Sequence, residues 1–277
     1  MQYKKAVVAR PIRVEALISA FSANRGKEYV FHGESHDFWE MVYVEEGTAG
    51  ITADDRVLEC GPGSLVFHKP NEFHRIWTVH DDCLRFTVIS FVETGSFLLE
   101  RLSNSAFAIS PSQQSLLHKL QNILRATGGH PSLSPVFEQD PVILGQFTAT
   151  LELLLYQCAT EQKAAQTDHS PASRLFSQAV QQMRKNLSQP LKAQQLAEEL
   201  QVSLSQLKRV FHQYAMVGIH SYHLAMKIDR AKQLLSRGEP VCLVAEQLGF
   251  FNQNYFSAVF KRETGFSPKQ WVREAEE

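Results

Sequence analysis

VAEQLGFFNQNYFSAVFKRETGFSPKQW, from Val244 to Trp271, is the second statement of a pattern that LAEELQVSLSQLKRVFHQY states first, from Leu196 to Tyr214. Ala197 pairs with Ala245, Leu200 with Leu248, Val202 with Phe250, Leu207 with Phe256, Phe211 with Phe260 and Tyr222 with Trp271, an internal repeat of about 48 to 49 residues. The shared positions are apolar. In each copy a short helix carries a small alanine, so that a second helix can approach closely across a tight turn, which is helix-turn-helix geometry.

Ser203 and Asn252 stand where the second helix of each copy should begin, and both can cap free backbone N–H groups with a side-chain oxygen. The second helix of the first copy turns Leu207, Val210, Phe211 and Tyr214 inward and leaves Ser205, Lys208, Arg209 and His212 as an outward stripe, with Gln206 beside it. The second copy leaves Asn254, Ser257, Ala258 and Lys261, with Gln253 at the helix start. These polar side chains can reach base edges or phosphates in a major groove. A polar stripe is more often only a solvated face, but two copies of the whole pattern argue for the DNA reading.

The segment from Val244 to Trp271 resembles the signature of AraC-type transcription regulators, and the resemblance extends over roughly Ser173 to Arg273. It implies two helix-turn-helix units flanking one connecting helix, with Lys227, Ile228, Ala231, Leu234 and Leu235 on that helix. Double-stranded DNA is then the partner, with RNA polymerase as a further candidate. Two departures fall in the first unit or beside it. Ala215-Met216 stands where the second copy has Thr264-Gly265, so the glycine turn is missing, and Lys227 replaces an arginine common in the family, which loses the bidentate fork.

A chain of 277 residues, 44% hydrophobic and 21% charged, has room for two domains with cores of their own. The net charge of −1 divides unevenly: from Arg174 onward there are 14 Lys and Arg against 9 Asp and Glu, a balance of +5, which leaves −6 before it. The sign suits phosphate neutralisation. No apolar run approaches the ~20 residues of a membrane span, and the opening MQYKKAVVARPIRVEAL lacks the features of a secretory signal. Cys60, Cys83, Cys158 and Cys242 are scattered with no CxxC, which fits a reducing cytoplasm.

The polar stretch from Thr160 to Ser173 reads as a linker. Before it, Leu144, Phe147, Leu151, Leu154 and Cys158 recur at steps of three and four. That spacing serves equally as the seam of a homodimer or as the inner face of a helix packed on its own domain.

From about Tyr29 to Phe91 short apolar segments alternate with turn residues, the pattern of an all-β barrel or jelly roll. His36, Phe38, Glu40, Val42 and Val44 share parity, so one strand through them would aim all five at one face. His74 follows the turn Lys69-Pro70-Asn71-Glu72. The spacing His36, Glu40, Gly47 resembles the first motif of the cupins, and the segment from Gly61 to His74 resembles the second.

Many cupins hold a metal on two histidines and a glutamate from the first motif and a histidine from the second. Here Glu34 takes the place of one histidine, while His36, Glu40 and His74 are kept, with Glu34 or His32 as extras. Three readings stay open: polar groups of an effector pocket lined by His36, Phe38, Glu40 and His74, a divalent-metal site on His36, Glu40 and His74, or structural histidines. The DNA-binding half favours the first, with a small polar effector. His68 and His80 stand apart as structural or surface residues.

The expected protein is therefore α+β with two domains: a cupin-like β-barrel with a helical appendage over residues 1–160 for effector sensing and dimerisation, a linker over 161–172, and an all-α double helix-turn-helix domain over 173–277. Its expected function is effector-responsive transcription regulation in the cytoplasm, not enzymatic catalysis. The rival readings are a metal-dependent cupin enzyme with a helical docking module, and a constitutive regulator whose barrel only dimerises. No nucleophile elbow, phosphate loop or HExxH motif supports the enzyme.

Overall fold

The computed structural model describes residues 10–31, 33–79, 83–93, 97–103, 106–127, 140–160 and 170–276. His32, His80 and most of the expected linker lie outside them. Among the described residues eight strands form in the first part of the chain: β1 (Val14–Arg25), β2 (Trp39–Glu46), β3 (Ala49–Ala53), β4 (Arg56–Cys60), β5 (Ser64–His68), β6 (His74–Thr78), β7 (Leu84–Glu93) and, after a short helix, β8 (Ala106–Ala108). Antiparallel ladders join them into a five-stranded sheet of order β1-β7-β2-β5-β8 and a three-stranded sheet of order β4-β3-β6. The barrel is not closed among the described residues. Strands β3 to β6 have five residues each, too few to bend from one sheet into the other, so the chain changes sheets in the turns at Gly47, Gly63 and Asn71, all at positive φ.

The apolar alternation assigns the layers. Val42 and Val44 meet Ile51, Leu58 and Ile76 between the two sheets. Trp39, Met41 and Tyr43 point the other way, onto α2 (Pro111–Thr127) and α3 (Pro141–Thr160), which follow the short α1 (Phe97–Glu100). Both faces of β2 are thus covered, which is why it is buried almost throughout. The expected strand from His36 begins only at Trp39, so His36 and Phe38 approach the sheet from a preceding bend.

The two readings of the seam on α3 resolve toward internal packing. Phe147, Leu151 and Leu154 have no exposed surface and Cys158 almost none, all within the core shared by α2, β1 and β2. By length and composition α3 could cross a membrane, yet these residues are taken up by the sheet beneath it. Tyr156 and Glu152 fasten the helix to the start of the chain, accepting from the Ile12 and Val14 amides at 3.1 and 3.0 Å.

The remaining elements are helical: α4 (Pro171–Lys185), α5 (Ala193–Glu199), α6 (Leu204–Ala215), α7 (Ile219–Ser236), α8 (Val241–Gln247), α9 (Gln253–Thr264) and α10 (Pro268–Glu276). Helix α4 opens at Pro171, with the Ser170 hydroxyl accepting from the Ser173 amide. Two separate cores form. One gathers Phe176, Ala197, Leu207, Phe211 and Tyr222; the other gathers Ala231, Ala245, Phe256 and Phe260, with Trp271 packed against it. The sequence repeat is therefore a structural repeat, with Tyr222 and Trp271 in equivalent places. The first core continues into the outer face of the three-stranded sheet through Val57, Phe73 and Trp77, so the order of layers is helices, sheet, sheet, first helix-turn-helix unit.

Candidate nucleic-acid interface and sensor site

Each helix-turn-helix unit is set by three local devices. The inner alanines Ala197 and Ala245 are at most 2% exposed, which lets the paired helices close on each other. The second helices start on side-chain caps: Ser203 Oγ accepts from the Gln206 amide at 3.1 Å, and Asn252 Oδ1 from the Tyr255 amide at 2.8 Å. The turns need a left-handed residue, supplied by Gln201 at φ 56° in the first unit and by Gly249 at φ 65° in the second, where a Cβ would strike the Ser188 carbonyl. The same pairing recurs at the ends of the second helices. Gly265 sits at φ 83° after α9, and Met216 at φ 53° after α6. The missing glycine thus leaves the turn unchanged in shape, and the methionine bears a left-handed conformation that costs roughly 1–2 kcal/mol.

Ser205, Gln206, Lys208, Arg209 and His212 all lie exposed on α6, and Gln253, Asn254 and Lys261 on α9, with Ser257 half-buried beside them. Opposite them Leu207, Val210 and Phe211, and in the second unit Phe256, Val259 and Phe260, are buried. The sequence did not single out Phe251, 91% exposed in the turn before α9, or Tyr255, 57% exposed in its first turn. Both are large apolar rings turned to solvent at the tip of the second unit.

Helix α7 joins the units over 18 residues, about 27 Å at 1.5 Å per residue. Lys227 is buried on it and donates from Nζ to the Leu248 carbonyl at 2.7 Å, while lying 5.3 Å above the Phe250 ring. The lysine therefore ties the connecting helix to the turn of the second unit with a single point contact.

In the sensor half, β2, β6 and the bend before β2 bring Glu34, His36, Glu40 and His74 together, with one donor atom from each within 4.8 Å of the others. His74 Nε2 lies 3.3 Å from Glu40 Oε1, and His36 Nε2 3.7 Å from Glu40 Oε2. Phe38 stacks on His36 with ring centroids 3.8 Å apart. His68 joins them, contrary to its expected isolation: it pairs with Glu40 across β2 and β5, so its side chain shares that face, and it stacks on His74 at 4.2 Å. The buried Glu72 carboxylate contacts His68 Nδ1 at 3.2 Å.

Both imidazoles of the pair have a fixed orientation. A backbone carbonyl can only accept, so His36 Nδ1 donates to the Phe38 carbonyl and His74 Nδ1 to the Glu72 carbonyl, each at 3.0 Å. This directs both Nε2 atoms at Glu40, where neither finds a hydrogen bond of normal geometry among the described residues. Behind Glu40, Ser19 donates to Ser90 at 2.8 Å and Ser90 to Glu40 Oε2 at 3.2 Å. Burial would raise the Glu40 carboxyl, but close contact with His36 and His74 outweighs it and holds the group below the ordinary carboxylate range. Burial opposes protonation of His74, yet Glu40 pushes it up to about 9. The cluster thus holds positive charge between two nitrogens and a carboxylate, and the His, His, carboxylate donor set fits a divalent metal ion as well as a proton.

The sensor and reader touch through β6 and the turn after β3. Arg75, with 1% exposure, donates from Nη1 to the Tyr214 carbonyl in the last turn of α6. Tyr222 on α7 donates to the Asp54 carbonyl at 2.9 Å and meets the Phe73 ring edge-on, while Arg184 on α4 pairs with the Asp54 carboxylate at 3.2 Å.

Comparison with known proteins gives two family matches, an AraC-like ligand binding domain over residues 18–132 and a helix-turn-helix domain over residues 196–274. The chain is 28% identical over 261 residues to the HTH-type transcriptional activator RhaR of Klebsiella pneumoniae, spanning 90% of each. It is 27% identical over 243 residues to the uncharacterized HTH-type transcriptional regulator YfiF of Bacillus subtilis, spanning 84% of this chain and 76% of that one. Among solved structures it matches ToxT of Vibrio cholerae, 14% identical with a TM-score of 0.40, over 94% of this chain and 100% of the other.

Proposed function

The chain belongs to the AraC family of transcription regulators, and from that premise we propose that it binds two successive major-groove segments of an operator through α6 and α9, under the control of a small polar effector sensed in the barrel. The observation that carries this reading is the pair of exposed polar faces on two capped helices, held on one connecting helix. Its length of about 27 Å approaches the ~34 Å of one duplex turn, which suits reading from one side. Ser205, Gln206, Lys208, Arg209 and His212 address one segment; Gln253, Asn254, Ser257 and Lys261 address the next. Footprinting on DNA flanking the chain's own gene tests this. Two protected segments one turn apart, with affinity falling linearly in log salt, are expected. One protected segment, or equal affinity for random DNA, would remove the reading.

His36, Phe38, Glu40 and His74 form the proposed sensor site, since a carboxylate and oriented imidazoles beside an aromatic ring suit a polar ligand better than a lipid. The cytoplasm is the proposed location and a regulator the proposed class; turnover of a small metabolite by the purified chain would favour the enzyme reading instead.

We further propose a homodimer, but through the outer face of α3 in place of the seam. Val142 is 65% and Leu153 49% exposed there, and Gly145 and Ala149 lie on the same face. Leu153→Glu is expected to give a folded monomer with at least about tenfold weaker binding to a two-site operator, because linked sites gain from effective concentration. Light scattering that still reads a dimer would place the contact elsewhere.

A further inference from the structure

We infer that Phe251 reads a thymine, covering its C5-methyl group in the major-groove segment that α9 addresses. This rests on the DNA reading above and assigns a base to one residue of it. Corresponding residues of the two helix-turn-helix units lie 48 apart from Ala197 and Ala245 through Val202 and Phe250, but 49 apart from the caps Ser203 and Asn252 onward. The backbone agrees on both sides of this step. Val202 and Phe250 donate to the Ala197 and Ala245 carbonyls at 3.0 and 2.9 Å, and Leu207 and Phe256 to the Ser203 and Asn252 carbonyls at 3.0 Å. The second unit thus carries one residue more between turn and cap, and that residue is Phe251.

An apolar residue just before a helix cap ordinarily packs on the fourth helical residue, which fixes the angle at which the chain enters the helix. In the first unit Val202 packs into the core that holds Leu207. In the second the extra residue moves this task one place back: Phe250 packs on Phe256, with ring centroids 5.0 Å apart, and Tyr255 lies 6.3 Å from it. Phe251 is left without a packing role and is 91% exposed. Its place is fixed all the same. Lys227 holds the Leu248 carbonyl on one side of it, and Asn252 caps α9 on the other.

A helix-turn-helix domain enters the major groove with the N-terminal residues of its second helix. Phe251 stands directly before the cap of that helix, beside the exposed amides of Gln253 and Asn254. The apolar group on the base edges of that groove is the thymine methyl, and an amide next to it can pair with adenine. A phenyl ring at this point removes the methyl from water. The first turn of α9 carries no acidic residue, so no side chain there repels the phosphates on approach.

The test takes the full-length chain and the operator defined by footprinting, with each thymine of the two protected segments replaced in turn by deoxyuridine, which removes the methyl and keeps base pairing. The α9 segment is the one whose protection weakens in Asn254→Ala. For wild type, one replacement in that segment is expected to weaken binding about fourfold, the worth of one buried methyl group. Phe251→Ala should bind at least about fourfold more weakly and lose its response to that replacement, while responding as wild type to all others. Phe251→Leu, which stays apolar, should retain part of the response. A methyl response that persists in Phe251→Ala, or an α9 segment in which no thymine methyl matters, would overturn the assignment. So would Phe251→Ala that binds DNA as wild type but no longer changes transcription, since the ring would then face RNA polymerase. Wild type that binds its operator specifically with no methyl response loses the contact and keeps the regulator. Wild type that binds random DNA equally well loses both.

Discussion

Replacing Lys208 and Arg209 together by alanine is expected to lower operator affinity by at least ~1–3 kcal/mol, the loss for one side chain that contacts a base, while the fold is retained. The two side chains are exposed neighbours on α6, and the residues that anchor the helix, Leu207, Val210 and Phe211, lie on its other face. Alanine is also the best helix former, so the substitutions do not weaken α6 itself. An arginine that reads a guanine edge gives its loss at particular base pairs. A lysine that meets phosphate weakens all sequences alike and lowers the salt slope by about one. Titrations of wild type, both single variants and the double variant on an operator panel at several salt concentrations resolve these roles. Unchanged affinity in the folded double variant would remove α6 from the interface. Gln253→Ala with Asn254→Ala should act in the same way on the neighbouring segment through α9.

The reader half was legible in the sequence because its determinants are local. Caps at Ser203 and Asn252, alanines at 197 and 245 and the apolar period each act within one turn or one helix pair. The connecting helix that the resemblance implied runs from Ile219 to Ser236 and carries Lys227, Ile228, Ala231, Leu234 and Leu235. Left-handed Gln201 and Met216 were not legible, because neither residue type favours that conformation and only the packing of the unit requires it.

In the sensor half, the union of His36, Glu40 and His74 was readable from spacing and resemblance. The place of His68 was not. Its partnership with Glu40 depends on the register of β2 against β5, and a shift of one residue would turn it to the opposite face. The seam on α3 was ambiguous for a different reason. A row of Phe147, Leu151 and Leu154 records only that the helix buries one face, and the partner is supplied by residues as distant as Ile12 and Trp39.

Arg75 is the sharpest case of a residue whose environment sequence cannot supply. Alternation along β6 sends it away from the cluster that His74 enters, and an arginine on the outer face of a strand would ordinarily meet water. Here the first helix-turn-helix unit covers that face, leaving Arg75 fully buried against Trp77 and the Tyr214 carbonyl. Arg75→Met keeps most of the buried volume but removes the donor, and loss of a buried hydrogen bond from a charged group costs ~1–3 kcal/mol. The loss is expected to fall on the docking of the two domains. Amide hydrogen exchange should therefore quicken about 5- to 150-fold, the same energy expressed as a rate ratio, in β6 and from Val210 to Tyr222. Val244 to Phe260 should exchange as in wild type, because the second unit has a separate core and its tie to α7 runs through Lys227 and the Leu248 carbonyl. Uniform quickening through both units would mean that Arg75 supports the whole fold, and an unchanged first unit would mean that the contact with Tyr214 carries no energy. In either event the route from the sensor strand to the first reading helix would have to run through Tyr222 and Asp54 instead.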